Sequence, residues 1–169
     1  MDALENIFGR RSVRKYKDKK ITREELETVL KAGKHAPTSM NTQYRKFTVV
    51  EDEELLKELE EHIARILNRE KYNIYGAKTF IIVSSPSDWL NAEVDTATAM
   101  QNMMLAAHAI GLGSCWINQL KRCLQDKEFK EFLEKIGIGK DRAIWGSLVL
   151  GYPDETPEAK ERIEEVEYY

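Results

Sequence analysis

Arginine and serine side chains stand close together near the start of the chain, in the segment Gly9-Arg10-Arg11-Ser12-Val13-Arg14. Arg10, Ser12 and Arg14 alternate, so in an extended segment their side chains project to the same side. Arginine offers planar, permanently charged donors that suit phosphate oxygens, and serine adds a hydroxyl. The segment therefore predicts an anion site. The alternative is a solvated basic stretch that continues through the lysines after it, or a weak patch for nucleic acid.

A second polar cluster follows a proline, in Ala36-Pro37-Thr38-Ser39-Met40-Asn41-Thr42-Gln43. Its hydroxyls and amides can satisfy a polar heterocycle that carries both donors and acceptors along one edge. The same residue types also make ordinary turns, so a plain turn is the alternative. A third feature is Lys160-Glu161-Arg162 near the C-terminus, which places two cations on one side of a charged tail.

Common catalytic signatures are missing from the sequence. It contains no GxxxxGK[ST] motif and no GxGxxG after a strand, and GxSxG and HExxH are also absent. Cys115 and Cys123 do not have the spacing of a redox motif, so we expect two reduced thiols. The histidines stand alone in helical patterns, which favours structural or surface roles and predicts no metal site.

Composition is that of an ordinary globular protein. The 169 residues are 42% hydrophobic and 33% charged. This predicts one domain over residues 1–169 that needs no disulfide or metal ion to stabilise its core. The net charge of −3 argues against partners such as nucleic acid or an anionic membrane. No apolar run approaches the roughly 20 residues of a membrane helix, and the start lacks the apolar core of a secretory signal. We therefore expect a cytoplasmic location.

Hydrophobic periodicity predicts alternating helices and strands that build a small sheet covered by helices, in an α+β or α/β fold. A capping box at Thr22-Arg23-Glu24-Glu25 begins one helix, and Gly111 is expected to end the least polar one. The apolar run from Thr79 to Val83 predicts a central strand buried on both faces. The predicted helices are 2–9, 23 to about 33, 53–67, 92–110 and 126–136, and the predicted strands are 46–51, 79–83, 115–117 and 144–152.

Taken in order, the motifs resemble the FMN-dependent nitroreductase family over nearly the whole chain. The resemblance is carried by Arg-Arg-Ser-Val-Arg-Lys-Tyr at 10–16 and Ala-Pro-Thr-Ser-Met-Asn-Thr-Gln at 36–43. It continues with Gln101-Asn102-Met103-Met104-Leu105-Ala106-Ala107, Gly111-Leu112-Gly113-Ser114, Leu148-Val149-Leu150-Gly151-Tyr152-Pro153 and the Lys160/Arg162 pair. Each motif is weak alone, but the series is specific.

The resemblance implies a set of cofactor-binding residues. An arginine-serine motif holds the phosphate and ribityl chain of FMN in this family, and tail cations clamp the same phosphate. A proline loop reaches the flavin from the neighbouring protomer, and a backbone amide after a short strand faces the reactive flavin nitrogen. In this sequence these residues are Arg10, Arg11, Ser12, Arg14, Pro37, Thr38, Ser39, Asn41, Trp116, Ile117, Asn118, Gln119, Lys160 and Arg162. Gln43 is a further candidate from the proline loop, and Trp116 either flanks the ring or packs in the core.

The implied fold is an α+β nitroreductase-like sandwich with a central, mostly antiparallel sheet in an intertwined homodimer. The Met-rich helix around 97–107 resembles the dimer helix, and residues 154–169 are expected to form a tail that reaches across the partner. The implied activity is an NAD(P)H oxidoreductase that reduces nitroaromatics, quinones or similar small acceptors by ping-pong hydride transfer. NADH or NADPH only visits the flavin, and no side chain need act as acid or base.

The sequence departs from larger nitroreductases. It is short between the Ile81 strand and the Met-rich helix, and again after Gln119, where those members carry helices that roof the site. A more open pocket or a different acceptor is therefore expected. Alternatives are another reductive task on the same fold, such as dehalogenation or flavin destruction, a flavin store or sensor without turnover, and a small regulatory domain that uses its basic N-terminus on nucleic acid.

Overall fold

The computed structural model of this chain describes residues 2–169, and it contains each helix and strand that the sequence predicts. The elements are α1 (Ala3–Gly9), α2 (Arg23–Lys34), β1 (Lys46–Val50), α3 (Glu53–Ile66), β2 (Thr79–Pro86), α4 (Ala92–Ala109), β3 (Gly113–Ile117), α5 (Leu120–Cys123), α6 (Lys127–Lys135) and β4 (Arg142–Gly151). Two short elements were not predicted, namely α5 and a 3-10 turn over Ser39–Asn41. Both are shorter than the window over which a hydrophobic period can be recognised.

The four strands form one sheet in the order β1-β2-β4-β3, and every neighbouring pair is antiparallel. This arrangement confirms the antiparallel sheet that the resemblance implies. Strand β2 lies inside the sheet, and its residues Thr79 to Ser85 are all buried, as the continuous apolar run predicts. Strand β3 forms one edge of the sheet, which leaves its outer side open to other groups.

Helices cover both faces of the sheet, and each face has its own hydrophobic cluster. Phe80 and Ile82 of β2 pack with α3 and α6, whereas Ile81 and Val83 pack with α2 and α4. This division follows from the strand itself, because successive side chains point to opposite faces.

Capping residues fix where the helices begin and end. Asp2 and Thr22 each form a complete capping box, with Glu5 and Glu25 respectively. At the far end of α4, Gly111 has φ +83°, a left-handed conformation that costs glycine little. The chain therefore turns sharply from α4 into β3, and Gly111 ends the helix as predicted.

The segment after α1 lies against the open edge of the sheet. Ser12 forms a parallel bridge with Ser114 of β3, and Tyr16 forms an antiparallel bridge with Pro153 just beyond β4. A Cβ atom on Gly113 would lie 2.9 Å from Cβ of Val13, so this glycine lets the two segments approach closely. None of the helices in the part of the chain described by the structure is long and apolar enough to cross a membrane.

Candidate functional site

The arginine segment is held in place by backbone hydrogen bonds to β3. The Val13 N–H donates to the Ser114 carbonyl at 3.0 Å, and the Tyr16 hydroxyl donates to the Val13 carbonyl at 2.7 Å. These bonds and the two bridges give residues 12–16 a fixed position along the sheet. The predicted alternation of Arg10, Ser12 and Arg14 therefore lies on an ordered, extended segment.

Two guanidinium groups in this segment are partly buried, and each has a nitrogen with no hydrogen-bond partner. Arg11 Nη1 donates to the carbonyls of Phe8 and Arg10, at 2.6 and 2.9 Å, which ties Arg11 to the end of α1. Its Nε atom and the Nη1 atom of Arg10 are buried without a partner. A buried donor that lacks an acceptor is costly. These two nitrogens are therefore suited to receive an anionic ligand.

Positive charge accumulates around Arg10. Burial lowers the pKa of Arg10, and the charges of Arg11 and Arg162 lower it further. Arg162 of the tail therefore lies near enough to Arg10 to repel its charge. Arg162 and Arg10 are 152 positions apart in the sequence, yet the charge of one acts on the other. Lys160 is exposed, and its role in binding a ligand stays a prediction.

Cys115 lies beneath the same segment. Burial raises the pKa of the Cys115 thiol, and Arg14, a hydrogen bond with Ser12 and the charge of Arg10 oppose that rise. Three of the predicted anion-binding residues therefore act on the pKa of one buried thiol on β3. Cys115 and Cys123 are both free and buried, as expected for reduced thiols.

A cavity of about 330 Å³ opens between the end of α1, the end of α4 and the start of the tail. Arg10 and Arg11 line it from one side, while Glu155, Thr156 and Pro157 line it from the other. Glu155 also accepts a hydrogen bond from the backbone N–H of Arg14. A carboxylate thus lies among the arginines, a feature that the sequence pattern did not identify.

His108 also lines this cavity, and a hydrogen-bond chain fixes its ring. Asn6 donates its side-chain amide to the Leu105 carbonyl at 3.0 Å, so its amide oxygen faces His108 Nδ1 at 2.7 Å. An amide oxygen only accepts, and His108 Nδ1 must therefore carry the hydrogen. Nε2 stays available to a ligand. The structural or surface role that the sequence predicts for this histidine stays a prediction.

The predicted ring-binding segment continues along β3. Asn118 lies four residues after Ser114, about 13 Å along an extended strand. Neither Asn118 nor Gln119 donates its backbone N–H to a backbone acceptor, whereas the Ile117 carbonyl accepts from Ser147 Oγ at 2.6 Å. The backbone N–H groups of Asn118 and Gln119 thus have no backbone acceptor, and they follow a strand whose end is held in place. Trp116 packs partly against the cluster of α2 and α4, and its contact with a ligand stays a prediction.

The predicted Pro37–Asn41 loop lies elsewhere in the chain. Ser39 donates its backbone N–H to Asp95 Oδ1 at 2.8 Å, near the start of α4. His108 lines the cavity beside Arg10 and Arg11, which together with Arg14 form the arginine cluster. It lies thirteen residues after Asp95 in the same helix, which is about 20 Å at the usual helical rise. Within one chain the structure therefore does not bring this loop and the arginines together.

Three potential metal ligands meet on the other side of the sheet. His62, Asp126 and Glu128 have ligand atoms within 4.8 Å of one another. Arg65 forms ion pairs with both carboxylates, at 2.7 Å to Asp126 and 3.2 Å to Glu128. This group is therefore an arginine-centred ion cluster between α3 and α6, and the role of His62 stays a prediction.

An antiparallel sheet lies between two helical layers, and an arginine-rich segment lies at its open edge, so the fold is of the α+β sandwich class. Comparison with known proteins identifies the family within this class. The family model of the nitroreductase family matches residues 7–73 and 68–152. The chain therefore belongs to the nitroreductase family.

Individual relatives support this assignment. A provisionally named NADH dehydrogenase/NAD(P)H nitroreductase of Archaeoglobus fulgidus is 32% identical over 91% of this chain and 87% of its own length. A crystal structure of a nitroreductase with bound FMN from Bacteroides fragilis superposes with a TM-score of 0.89 at 35% identity, over 98% of this chain and 96% of that one. The NADPH:FMN oxidoreductase of Vibrio harveyi in complex with NAD+ superposes with a TM-score of 0.78 at 26% identity, over 98% and 77%.

Proposed function

We propose that this protein binds FMN and acts as an NAD(P)H oxidoreductase that reduces nitroaromatics, quinones or similar small acceptors. The observation that carries the proposal is the pair of buried, unpartnered guanidinium nitrogens of Arg10 and Arg11. A phosphate monoester supplies the acceptor oxygens that these donors lack. Family membership and the FMN-bound relative support FMN as its source.

In this proposal the phosphate lies at the start of β3. Arg10 and Arg11 donate from their buried nitrogens, and Ser12 supplies a hydroxyl from the same segment. Arg14 and Arg162 reach the phosphate or the ribityl chain from the solvent side, since both side chains are exposed. Lys160 is the second tail cation proposed for this clamp.

The flavin ring extends along β3 toward Asn118 and Gln119. Their free backbone amides are positioned to donate to the ring, and Trp116 and Ile117 line the approach. A donor at this point favours the electron-rich, reduced state of a flavin. Bound FMN supplies the hydride chemistry, with NADH or NADPH as donor and a small molecule as acceptor, so the protein supplies position and electrostatics and needs no catalytic acid or base.

A second copy of the chain completes the site. The Pro37–Asn41 loop lies about 20 Å from the arginine end of its own α4, so we assign Pro37, Thr38, Ser39 and Asn41 to the flavin of the partner. Apolar side chains exposed on one copy favour such a homodimer, because large exposed apolar groups mark interaction surfaces. They include Leu4, Phe8, Met40, Val94, Ile163 and Val166.

The same proposal treats the chain as one domain. Residues 154–169 form the tail, whose exposed Ile163 and Val166 find cover on the partner. Arg162 then clamps the phosphate from a segment that the dimer orders, since an exposed tail gains order only by docking.

The test is an absorption spectrum of purified, FMN-loaded protein before and after anaerobic addition of NADH or NADPH. We expect flavin bands that bleach with the nicotinamide and return when a quinone or nitroaromatic is added. Colourless protein that cannot be loaded with FMN contradicts the proposal. Yellow protein that does not bleach indicates a flavin store in place of a reductase.

A further inference from the structure

Asp95 is a buried carboxylate that receives three hydrogen bonds in the first turn of α4. Its side chain is almost fully buried, at 3% exposed. Oδ1 accepts from the backbone N–H of Ser39 at 2.8 Å and from the Ser39 hydroxyl at 3.0 Å. Oδ2 accepts from Trp89 Nε1 at 2.9 Å. One carboxylate therefore joins α4 to the loop that contains Ser39 and to the turn that precedes the helix.

The carboxylate stays ionised in these surroundings. Burial raises the pKa of Asp95, but the bonds from Trp89 and Ser39 and the nearby charge of Arg45 outweigh that effect and leave the pKa below its ordinary value. Arg45 also binds the other side of the loop, because its guanidinium donates to the carbonyls of Asp95 at 2.9 Å and Ala36 at 2.7 Å.

This arrangement determines what Ser39 can offer to a ligand. An ionised carboxylate is an acceptor only, while a serine hydroxyl has one hydrogen and two lone pairs. Both hydrogens of Ser39, on the backbone nitrogen and on the hydroxyl, are directed to Asp95. The lone pairs of the Ser39 hydroxyl are therefore the groups left for a ligand.

The loop needs such an anchor because its backbone is strained. Met40, Asn41 and Gln43 all have φ +54°, in a left-handed region that non-glycine residues occupy at a cost. Met40 is 81% exposed, so packing of its own side chain does not hold this conformation. Ser39 directly precedes the strained residues. Its hydrogen bonds to Asp95 fix the direction in which the loop backbone continues.

We infer that Asp95 is a positioning residue for the flavin site, which holds Ser39 as a hydrogen-bond acceptor toward the flavin bound on the partner. The inference rests on the proposed function, in which this loop reaches that flavin. An acceptor at Ser39 recognises an N–H or O–H group, and oxidised FMN offers the imide N–H of its ring and the ribityl hydroxyls. We assign the contact to the ring N–H, and the carbonyl and phosphate oxygens are excluded as partners of Ser39.

The experiment compares three variants of the full chain, each loaded with FMN. Ser39→Ala removes the acceptor. Asp95→Ala removes the acceptor of the Ser39 N–H and hydroxyl as well as that of Trp89 Nε1. Trp89→Phe is the matched control, since it removes only the bond to Oδ2 and keeps a ring for the edge contact with Tyr44. The readouts are the dissociation constant for FMN and the position of the absorption bands of the bound flavin.

We expect Ser39→Ala and Asp95→Ala to raise the dissociation constant by about tenfold, which corresponds to one hydrogen bond. Both should shift the flavin bands by the same amount, because a ring contact is lost in each. Trp89→Phe should bind FMN within about twofold of the wild type with unshifted bands. If Ser39 and Asp95 had only a structural role, their substitution would lower the stability of the fold and would not shift the absorption bands of the bound flavin.

Ser39→Ala lies in a partly exposed loop and keeps the overall fold, so the test holds even if Asp95→Ala does not fold. Wild-type protein that binds FMN while Ser39→Ala binds it with the same constant and spectrum overturns the role of Asp95 and Ser39 alone. Wild-type protein that binds no FMN overturns the proposed function and this role with it.

Discussion

Glu155 accepts a hydrogen bond from the backbone N–H of Arg14 and so places a carboxylate inside the arginine cluster. The two residues are 141 positions apart in sequence, and the fold brings them together where β4 ends beside the segment that follows α1. The same carboxylate lines the cavity next to Arg10 and Arg11. A negative group at this point competes with any anion that the arginines bind.

Replacement of Glu155 by glutamine should therefore strengthen FMN binding. Glu155→Gln keeps an acceptor for the Arg14 N–H and removes only the charge. We expect the dissociation constant for FMN to fall by roughly two- to fivefold at low salt, since exposed charge effects amount to about 1 kcal/mol or less. Fluorescence titration of FMN measures the change, and the gain should shrink as salt is added.

Glu164→Gln provides the matched control, because it makes the same charge change in the exposed tail. This variant should bind FMN like the wild type. Weaker binding by Glu155→Gln would show that the carboxylate holds the ligand, for instance by accepting from a ribityl hydroxyl, and would contradict the competition described above.

Loss of Arg14 should weaken FMN binding. Arg14→Ala removes a charged donor beside Ser12 and Cys115, and such a hydrogen bond contributes about 1.5–3 kcal/mol, or roughly ten- to hundredfold in affinity. Arg23→Ala is a suitable control because Arg23 is an exposed residue of α2 paired with Glu27. Equal flavin affinity in Arg14→Ala and Arg23→Ala would remove Arg14 from the site.

The elements around this site could be predicted from the sequence, because their signals are local. The continuous apolar run in 79–83 and the apolar helix over 92–110 can each be recognised within one segment. The arginine-serine motif could likewise be recognised, since Arg10, Ser12 and Arg14 are neighbours. Their shared location on the segment beside β3 explains why so short a motif indicates a site.

The contacts that complete the site could not be predicted in the same way. Glu155 is one of many tail glutamates, and nothing local separates it from Glu158 or Glu161. Its role depends on the pairing of Tyr16 with Pro153, which only the assembled sheet establishes. Asp95 resembles any acidic residue in the first turn of a helix, until the loop containing Ser39 folds back onto it.

Gly113 should be required for the site as well as for stability. A Cβ atom there would lie 2.9 Å from Val13, closer than side-chain atoms tolerate. Gly113→Ala should therefore push the Ser12–Arg14 segment away from β3. We expect a loss of about 1–3 kcal/mol in stability from overpacking, together with weaker FMN binding, measured by urea unfolding and by flavin titration.

Gly76→Ala separates these two effects. Gly76 has φ +75° and nothing near its missing Cβ, so alanine there costs backbone energy in the loop before β2 without pushing against the Ser12–Arg14 segment. It should reduce stability and leave the affinity for FMN unchanged. If Gly113→Ala also leaves the affinity unchanged, the close approach of Val13 is structural only.

Asp126 should make stability depend on pH below the neutral range. A hydrogen bond with Arg65, with a further one from the Phe129 N–H, lowers the pKa of Asp126 to about 2. The pKa of Asp126 is lower in the folded protein than in the unfolded chain, so its ionised form stabilises the fold. This stabilisation is complete at pH values above the pKa of Asp in the unfolded chain, near 4. It declines as the pH falls toward 2, and about half should be lost by pH 3.

The comparison is between wild type and Asp126→Asn, which keeps an acceptor for the Phe129 N–H and loses the ion pair with Arg65. The difference in urea midpoint between the two proteins should be constant from pH 7 to 5 and should narrow from pH 4 to 3. Arg65→Gln should show the same narrowing, because it removes the other partner of the pair. A difference as large at pH 3 as at pH 7 would mean that the ion pair does not lower the pKa of Asp126, and that any effect of the substitution comes from the helix cap.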